Sequence, residues 1–223
     1  MTKKIFFEAL FKYLLGVILI GVLIFIPAGS INYVNGWVFM AVLFIPMLIV
    51  GIILMIKNPK LLKERLNAKE KQKEQSIVIK LSGMVFVIGF ILAGLDFRFG
   101  WIKMPVIATY IAIFIFLFGY IMWAEVLREN TYLSRIIKVE EEQKVIDSGL
   151  YGIVRHPMYL ATIIMFLSMP LVLGSFVSLI VILFYPILII IRIISEEKLL
   201  KKELKGYADY MKKVRYRIIP FIW

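Results

Sequence analysis

The sequence predicts an all-α integral membrane protein with about six hydrophobic helices, the last two of which form a short helical hairpin. Of its 223 residues, 61% are hydrophobic, and the mean hydropathy is +0.89, whereas soluble domains are roughly 45–50% apolar. Uncharged runs separate the charged residues, and each run is close to the ~20 residues that a spanning helix needs. We therefore expect a single membrane domain over 1–223, with transmembrane helices over 1–124 and a more polar region over 125–223.

The first four spans are predicted near 10–27, 36–56, 77–95 and 104–125. Residues 13–56 contain no charged side chain, but a Pro-Ala-Gly-Ser sequence at 27–30 and a polar stretch at 32–36 divide this run into two helices. The first run is long and further spans follow it, so we expect an uncleaved helix rather than a signal peptide. Asp96, Arg98 and Trp101 are then predicted to form a short outer loop.

The next uncharged run, 158–191, is predicted to fold back on itself at Gly174-Ser175. Each arm has about 17 residues and would be about 25 Å long at 1.5 Å per residue. This length is at the lower limit for spanning, which favours a partly buried hairpin. Residues 57–75 and the basic tail from Lys198 onward are predicted to be amphipathic helices at the cytosolic surface.

The basic residues predict the orientation of the chain. Six crossings with the N-terminus inside put 25 Lys and Arg residues on the cytoplasmic side and only Arg98 and Lys103 on the other. Such an asymmetry is the positive-inside signal, and it predicts cytoplasmic N- and C-termini. The net charge of +12 then serves orientation and contact with anionic lipid headgroups. We expect the lipid bilayer as a partner and no nucleic acid.

Composition also bounds the chemistry. The chain has no cysteine and one histidine, which excludes thiolate catalysis and cysteine-ligated metal sites and argues against any metal centre. It has no strand, glycine-rich turn and helix in succession, so a Rossmann-type cofactor site is not supported. Gly149 and Gly152 are too isolated for a phosphate cradle and are expected to let the backbone turn before Pro157.

Two groups of ionisable residues flank the predicted hairpin and therefore lie on the same side of the bilayer. One contains Arg155 and the single histidine, His156; the other contains Arg192, Glu196 and Glu197. Charges gathered at membrane depth are costly and indicate a functional site. Each also has a structural explanation, because Pro157 suits the first turn of a helix and an Arg and a Glu four residues apart can form an ordinary ion pair.

These residues resemble a known family when they are taken together and in order. The segment 143–159, then Arg192 with Glu196-Glu197, then Tyr207 with Tyr210, is similar to the isoprenylcysteine carboxyl methyltransferase (ICMT) family. Its members are integral-membrane, S-adenosylmethionine-dependent enzymes related to phospholipid methyltransferases. The resemblance covers about residues 125–223 and implies a membrane methyltransferase that takes S-adenosylmethionine as its cofactor.

The resemblance also implies roles for individual residues. Arg192 would face the methyl acceptor, Glu197 would complete the carboxylate pair, and Tyr207 and Tyr210 would wall the cofactor pocket. Glu140 is the nearest counterpart of a family glutamine that contacts the cofactor. The cofactor-binding residues would be Gln143, Lys144, Val145, Ile146, Tyr151, Arg155, His156, Pro157, Met158, Tyr159 and Glu196.

The chemistry of these residue types suits methyl transfer to a lipophilic acceptor. The guanidinium of Arg192 matches an acceptor carboxylate, which is already ionised at pH 7 and needs no base; for an amine acceptor, Glu197 would be the base. We therefore expect O-methylation of a prenyl- or lipid-linked carboxylate. Two alternatives stay open: an NADPH-dependent membrane reductase on a related scaffold, and a non-enzymatic membrane transporter or scaffold protein.

Overall fold

The computed structural model of the protein describes residues 2–67, 73–134, 136, 139 and 143–223, with only the backbone of residues 2, 73 and 74. In these ranges the chain is helical and forms no strand. The helices are α1 (Thr2–Ala28), α2 (Val34–Lys57), α3 (Pro59–Leu66), α4 (Lys73–Phe99), α5 (Val106–Glu129), α6 (Pro157–Val172), α7 (Phe176–Ile182), α8 (Phe184–Glu203) and α9 (Tyr207–Lys213), with a 3-10 turn at Gly149–Gly152.

The prediction of an all-α integral membrane protein is confirmed. Five segments of the described chain are long and apolar enough to cross a bilayer: Lys3–Ala28, Val34–Lys57, Gln75–Phe99, Val106–Glu129 and Phe176–Glu203. Together with the shorter apolar helix α6, they make up the predicted set of about six. Side chains such as Phe7, Phe11 and Ile18 of α1 are more than 60% exposed, as expected for a surface that faces lipid rather than water.

The hairpin breaks where the sequence predicts it. Gly174 has a φ of +80°, a conformation that is costly for residues with a Cβ, and the Ser175 hydroxyl caps α7 by accepting a hydrogen bond from the Ser178 amide at 3.1 Å. The arms are unequal, because the return arm is α7 followed directly by α8. The 16 residues of α6 span only about 24 Å.

α6 lies along α5, and small residues bring the two helices close together. Ala161 is fully buried, and a side chain at Gly119 of α5 would overlap Met165 of α6. Phe116 and Met169 fill the adjoining core. Because small residues allow this close approach, α6 is held against the bundle even though it is shorter than a hydrocarbon core of about 30 Å.

One end of the bundle, here called the Gly174 end, carries a buried polar cluster. Asp96, only 3% exposed, accepts a hydrogen bond from the Ser175 hydroxyl at 2.6 Å and another from the Ile102 amide at 3.2 Å. The Tyr33 hydroxyl donates to the Leu173 carbonyl. The sequence-based placement of Asp96 and Arg98 in a loop is wrong, because α4 continues to Phe99 and buries Asp96 against the hairpin turn.

The predicted surface helix is seen in part. α3 begins after Asn58, whose side chain accepts a hydrogen bond from the Leu61 amide at 3.1 Å, an ordinary N-cap. Leu61 and Leu62 are buried beneath it. The rest of the predicted helix includes residues 68–72, which lie outside the described residues.

Candidate active site

A cavity of about 490 Å³ opens at the other end of the bundle, here called the Pro157 end, where α4 and α6 begin and α8 finishes. Its walls come from α4, from the polar segment after α5, from the first turns of α6, and from α8 and α9. The long helices supply apolar side chains, and the polar segment supplies amides and hydroxyls. The cavity therefore has two halves: a membrane-facing half with apolar walls and a polar half.

Glu197 organises the polar groups beneath this cavity. Its Oε1 lies 2.8 Å from Arg155 Nε and 3.1 Å from His156 Nε2, and its Oε2 lies 2.9 Å from Arg217 Nε. Glu197, Arg155 and His156 are each at most 6% exposed. Buried charges of this kind are stable only when every partner is in place, so the cluster depends on the central carboxylate.

The same cluster fixes the segment that follows α9. The Arg155 amide donates to the Tyr216 carbonyl at 2.9 Å, and the His156 amide donates to the Arg217 carbonyl at 2.8 Å. The Arg155 side chain donates from Nη1 to the carbonyls of residues 214 and 215, at 2.9 and 2.7 Å. Through these bonds, the Arg155 guanidinium fixes the backbone that follows α9.

Tyr159 links two groups on successive turns of α8. Its hydroxyl accepts a hydrogen bond from Arg192 Nε at 2.9 Å and donates one to Glu196 Oε2 at 2.5 Å. All three side chains line the cavity. The four-residue spacing of Arg192 and Glu196 therefore gives a bridge through tyrosine, which orients both charged groups toward the same space.

Gln75, near the start of α4, contacts the Arg192 end of this bridge but is not among the residues that line the cavity. It is fully buried, and its Oε1 accepts a hydrogen bond from Arg192 Nη1 at 3.4 Å. Its Nε2 has no hydrogen-bond partner among the described residues. A buried donor left in this state costs about 1–3 kcal/mol.

The segment leading to Arg155 is shaped around Gly149. This residue has a φ of +54°, and a Cβ added to it would overlap the Glu129 carboxylate. That carboxylate accepts a hydrogen bond from the Leu150 amide at 3.1 Å. The expected sharp turn before Pro157 is thus present at Gly149, where both the backbone conformation and the nearby carboxylate require glycine.

Three tyrosines complete the polar half. Tyr151 accepts a hydrogen bond on its hydroxyl from Asn130 at 3.0 Å, and its carbonyl accepts one from the Tyr210 hydroxyl at 2.7 Å. The Tyr207 hydroxyl is buried without a partner in the described chain. Burial, together with the negative charge of Glu197, raises the pKa of Tyr207 well above its usual value, so this hydroxyl stays protonated and available as a donor.

The membrane-facing half of the cavity is floored by aromatic rings. Phe86 of α4 lies 4.6 Å from Phe166 of α6 and 5.3 Å from Tyr185 of α8, measured between ring centroids. Phe166 and Tyr185 are 5.0 Å apart in an edge-to-face arrangement. Such packing is favourable and rigid, and it gives the cavity an apolar wall next to the charged bridge.

Comparison with known proteins identifies the part of the chain that holds these groups. Residues 110–202 match the model of the isoprenylcysteine carboxyl methyltransferase (ICMT) family. This part of the chain is similar to that family. It contains the Arg155-to-Tyr159 sequence, the hairpin and the Arg192-to-Glu197 turn, and the resemblance predicted from the sequence is confirmed.

A second similarity is to Delta(14)-sterol reductase TM7SF2 of Mus musculus, which is 34% identical over 84 residues. The alignment covers 36% of this chain and 20% of the reductase. The chain therefore matches about one-fifth of the length of that curated relative, whose name is that of a reductase.

Most of the predicted site residues come together around the cavity. Those that line it are Gln143, Lys144, Val145, Ile146, Tyr151, Arg155, His156, Met158, Tyr159, Arg192 and Glu196, together with Tyr207 and Tyr210. Two predicted residues are absent from the lining that the described residues form. Pro157 begins α6, and Glu197 faces Arg155, His156 and Arg217. Glu140 lies outside the described residues.

Sequence reasoning missed the contribution of α4. Val78, Ile79, Ser82, Gly83 and Phe86 line the cavity, and Gln75 touches Arg192. The signal was available, because these positions recur every three to four residues and so share one face of a helix. An apolar stripe on a membrane helix, however, is most often only a packing surface.

Among the described residues, no group of three or more acidic or histidine side chains could hold a metal ion.

Proposed function

We propose that the protein is an S-adenosylmethionine-dependent methyltransferase that methylates the carboxylate of a lipophilic acceptor. The observation that carries this proposal is a cavity at the Pro157 end, in which a polar half and an apolar half meet at the Arg192–Tyr159–Glu196 bridge. The ICMT-family match over residues 110–202 supports the same reaction class. The cavity has a volume within the range of about 300–1,000 Å³ that small-molecule sites occupy.

The polar half fits the cofactor by its chemistry. S-adenosylmethionine combines a cation, a diol and an adenine with an amino-acid end, so it needs acceptors, donors and a flat apolar contact. Glu196 supplies a carboxylate for charge-assisted hydrogen bonds. The buried Tyr207 hydroxyl, unpaired among the described residues, supplies a donor, and Tyr151 supplies a ring surface.

When bound, this cofactor supplies a methyl group that passes to the acceptor oxygen while the electrons of the broken bond remain on sulfur. The protein's task is to hold the acceptor in position and exclude water. Arg192 would hold the acceptor carboxylate, and the hydrogen bond from its Nε to the Tyr159 hydroxyl would fix the orientation of its guanidinium. The aromatic floor formed by Phe86, Phe166 and Tyr185 would receive the apolar part of the acceptor.

Glu197 has a different role in this proposal from the one suggested by the family resemblance. Its carboxylate is enclosed by Arg155, His156 and Arg217, so it is not free to take a proton from an acceptor. We assign it as a positioning residue that holds the start of α6 and the chain after α9. This assignment agrees with an ionised acceptor that needs no general base.

The first test compares cofactors. S-adenosylhomocysteine should raise the thermal stability of the protein in nanodiscs, whereas NADPH should not. The reductase similarity over 84 residues makes NADPH the appropriate rival ligand. Stabilisation by NADPH alone would support a reductase, and stabilisation by neither ligand would support a non-enzymatic role.

The second test removes the acceptor contact. Arg192→Ala and Glu196→Ala should each lower methyl transfer by about a hundredfold or more, as expected when a reacting group is mispositioned, while membrane insertion is retained. Lys201→Ala, an exposed change on the same helix, should have no effect. Full activity of both site variants would refute the assignment.

A further inference from the structure

We propose that Gln75 is part of the acceptor site and that its side-chain amide, together with Arg192, binds the acceptor carboxylate. This inference rests on the proposed function and adds a residue from the N-terminal half, outside the ICMT-family match over residues 110–202. It is carried by three observations: the complete burial of Gln75, its contact with Arg192, and the unpaired state of its Nε2.

The contact with Arg192 fixes the direction of the amide. A guanidinium has only N–H donors, so the Gln75 oxygen must face it, as the 3.4 Å distance from Arg192 Nη1 to Gln75 Oε1 shows. The amide nitrogen then points elsewhere. Its two hydrogens find no acceptor among the described residues, although the side chain is fully buried.

Gln75 does not itself line the cavity, but its position on α4 places it one turn before residues that do. Gln75 begins the helical face that continues through Val78, Ser82 and Phe86, all of which have three- or four-residue spacing. These three side chains line the cavity. The opposite face, marked by Ile77 at 57% exposure, points away from the bundle.

A carboxylate is the ligand that satisfies both groups. It has two oxygens and only acceptor sites, so one oxygen can meet the Arg192 fork while the other takes the Gln75 amide hydrogens. An amine acceptor would offer no lone pair to Gln75 after protonation. The pairing of an amide with a guanidinium therefore favours an acidic acceptor over a basic one.

A simpler role for Gln75 would be to brace Arg192 through its oxygen. Glu at this position would preserve that brace and remove the donor, whereas Met would remove both. Because the charge of Glu repels a carboxylate under either role, weaker binding of an acidic ligand by Gln75→Glu is expected in both cases. The amide signal described below separates the two roles.

The probes are dodecanoate and dodecanol, which share a chain and differ in charge. Both are titrated into the protein in nanodiscs with saturating S-adenosylhomocysteine. The wild type should prefer dodecanoate. Gln75→Met and Gln75→Glu should each weaken dodecanoate binding by about tenfold and leave dodecanol and S-adenosylhomocysteine binding unchanged, and Ile77→Ala should resemble the wild type. Unchanged dodecanoate binding in Gln75→Met, or no preference in the wild type, would overturn the proposal.

A spectroscopic measurement observes the amide directly. The chain has three glutamines, at positions 72, 75 and 143, so ¹⁵N-glutamine labelling gives three side-chain amide signals, and Gln75→Met assigns one of them. Dodecanoate should shift that signal, and dodecanol should not. If the signal shifts but no methyl ester forms, the carboxylate site stands and the proposed methyl transfer fails; a signal that stays in place refutes the role of Gln75.

Discussion

Both ends of the helical bundle bury polar groups, but they use them differently. At the Gly174 end, Asp96 is satisfied by the Ser175 hydroxyl and the Ile102 amide, and a cavity lined in part by Gly174 has a volume of about 180 Å³. At the Pro157 end, a cavity of about 490 Å³ adjoins two buried polar atoms without partners in the described residues, Gln75 Nε2 and the Tyr207 hydroxyl. Buried polar groups that have hydrogen-bond partners thus connect structural elements, whereas buried polar atoms without partners beside a cavity indicate a binding site.

The largest expected effect is at the Pro157 end. Glu197→Ala should lower the free energy of unfolding by about 3–5 kcal/mol, because it leaves Arg155 and His156 buried without their carboxylate. Thermal or denaturant unfolding in detergent measures this change. Glu203→Ala, an exposed change on the same helix, should stay within about 0.5 kcal/mol, and equal behaviour of the two variants would contradict the central role of Glu197.

Two glycines, one at each end of the bundle, allow the cost of backbone strain to be distinguished from the cost of steric overlap. Gly149 and Gly100 have φ values of +54° and +62°, so alanine at either position should cost about 1–2 kcal/mol in backbone strain. Only at Gly149 would the new methyl group also meet a neighbour, the Glu129 carboxylate. Gly149→Ala should therefore destabilise the protein more than Gly100→Ala and should also weaken S-adenosylhomocysteine binding. Equal losses of stability would show that the carboxylate moves aside freely.

A smaller effect is expected at the Gly174 end. Ser175→Ala removes the hydroxyl that donates to Asp96 and caps α7, and should cost about 1–3 kcal/mol because a buried carboxylate oxygen loses its partner. S-adenosylhomocysteine affinity should not change. A loss of ligand binding without a loss of stability would mean that the two ends are coupled.

The smallest effect concerns pH at the surface of the site. A hydrogen bond from Lys213 lowers the pKa of Asp147, with the Lys213 nitrogen 2.6 Å from Asp147 Oδ2. The stabilisation is therefore present above the unfolded pKa of about 4 and is lost as the pH falls through the lower folded value. Asp147→Asn should make the stability of the protein slightly less sensitive to acid between pH 5 and pH 3. The effect should be small because the ion pair is exposed to solvent. An unchanged acid profile would show that the pair contributes nothing.

The long helices and the hairpin break were predictable because hydropathy and glycine chemistry act locally. The direction in which each carboxylate of α8 points was not predictable from the sequence. Glu196 and Glu197 are adjacent, and successive residues of a helix point about 100° apart, so one lines the cavity while the other faces Arg155. Only the packing of α8 decides which is which.

Contacts between distant parts of the chain explain the other differences. Gln75 and Arg192 are 117 residues apart, and Asp96 and Ser175 are 79 apart. A single amide or carboxylate near the end of an apolar run gives no periodic signal for such a partner. The cytoplasmic location of the termini and the roles of the site residues stay predictions.

The backbone clamp between residues 155–156 and 216–217 has a consequence for biosynthesis. Domains and helices fold progressively as the ribosome delivers the chain, so α1 to α5 can assemble while residues 216 and 217 are still in the exit tunnel. Arg155 and Glu197 become fully satisfied only after residue 217 has emerged. The nascent protein is thus anchored in the membrane before its cavity closes.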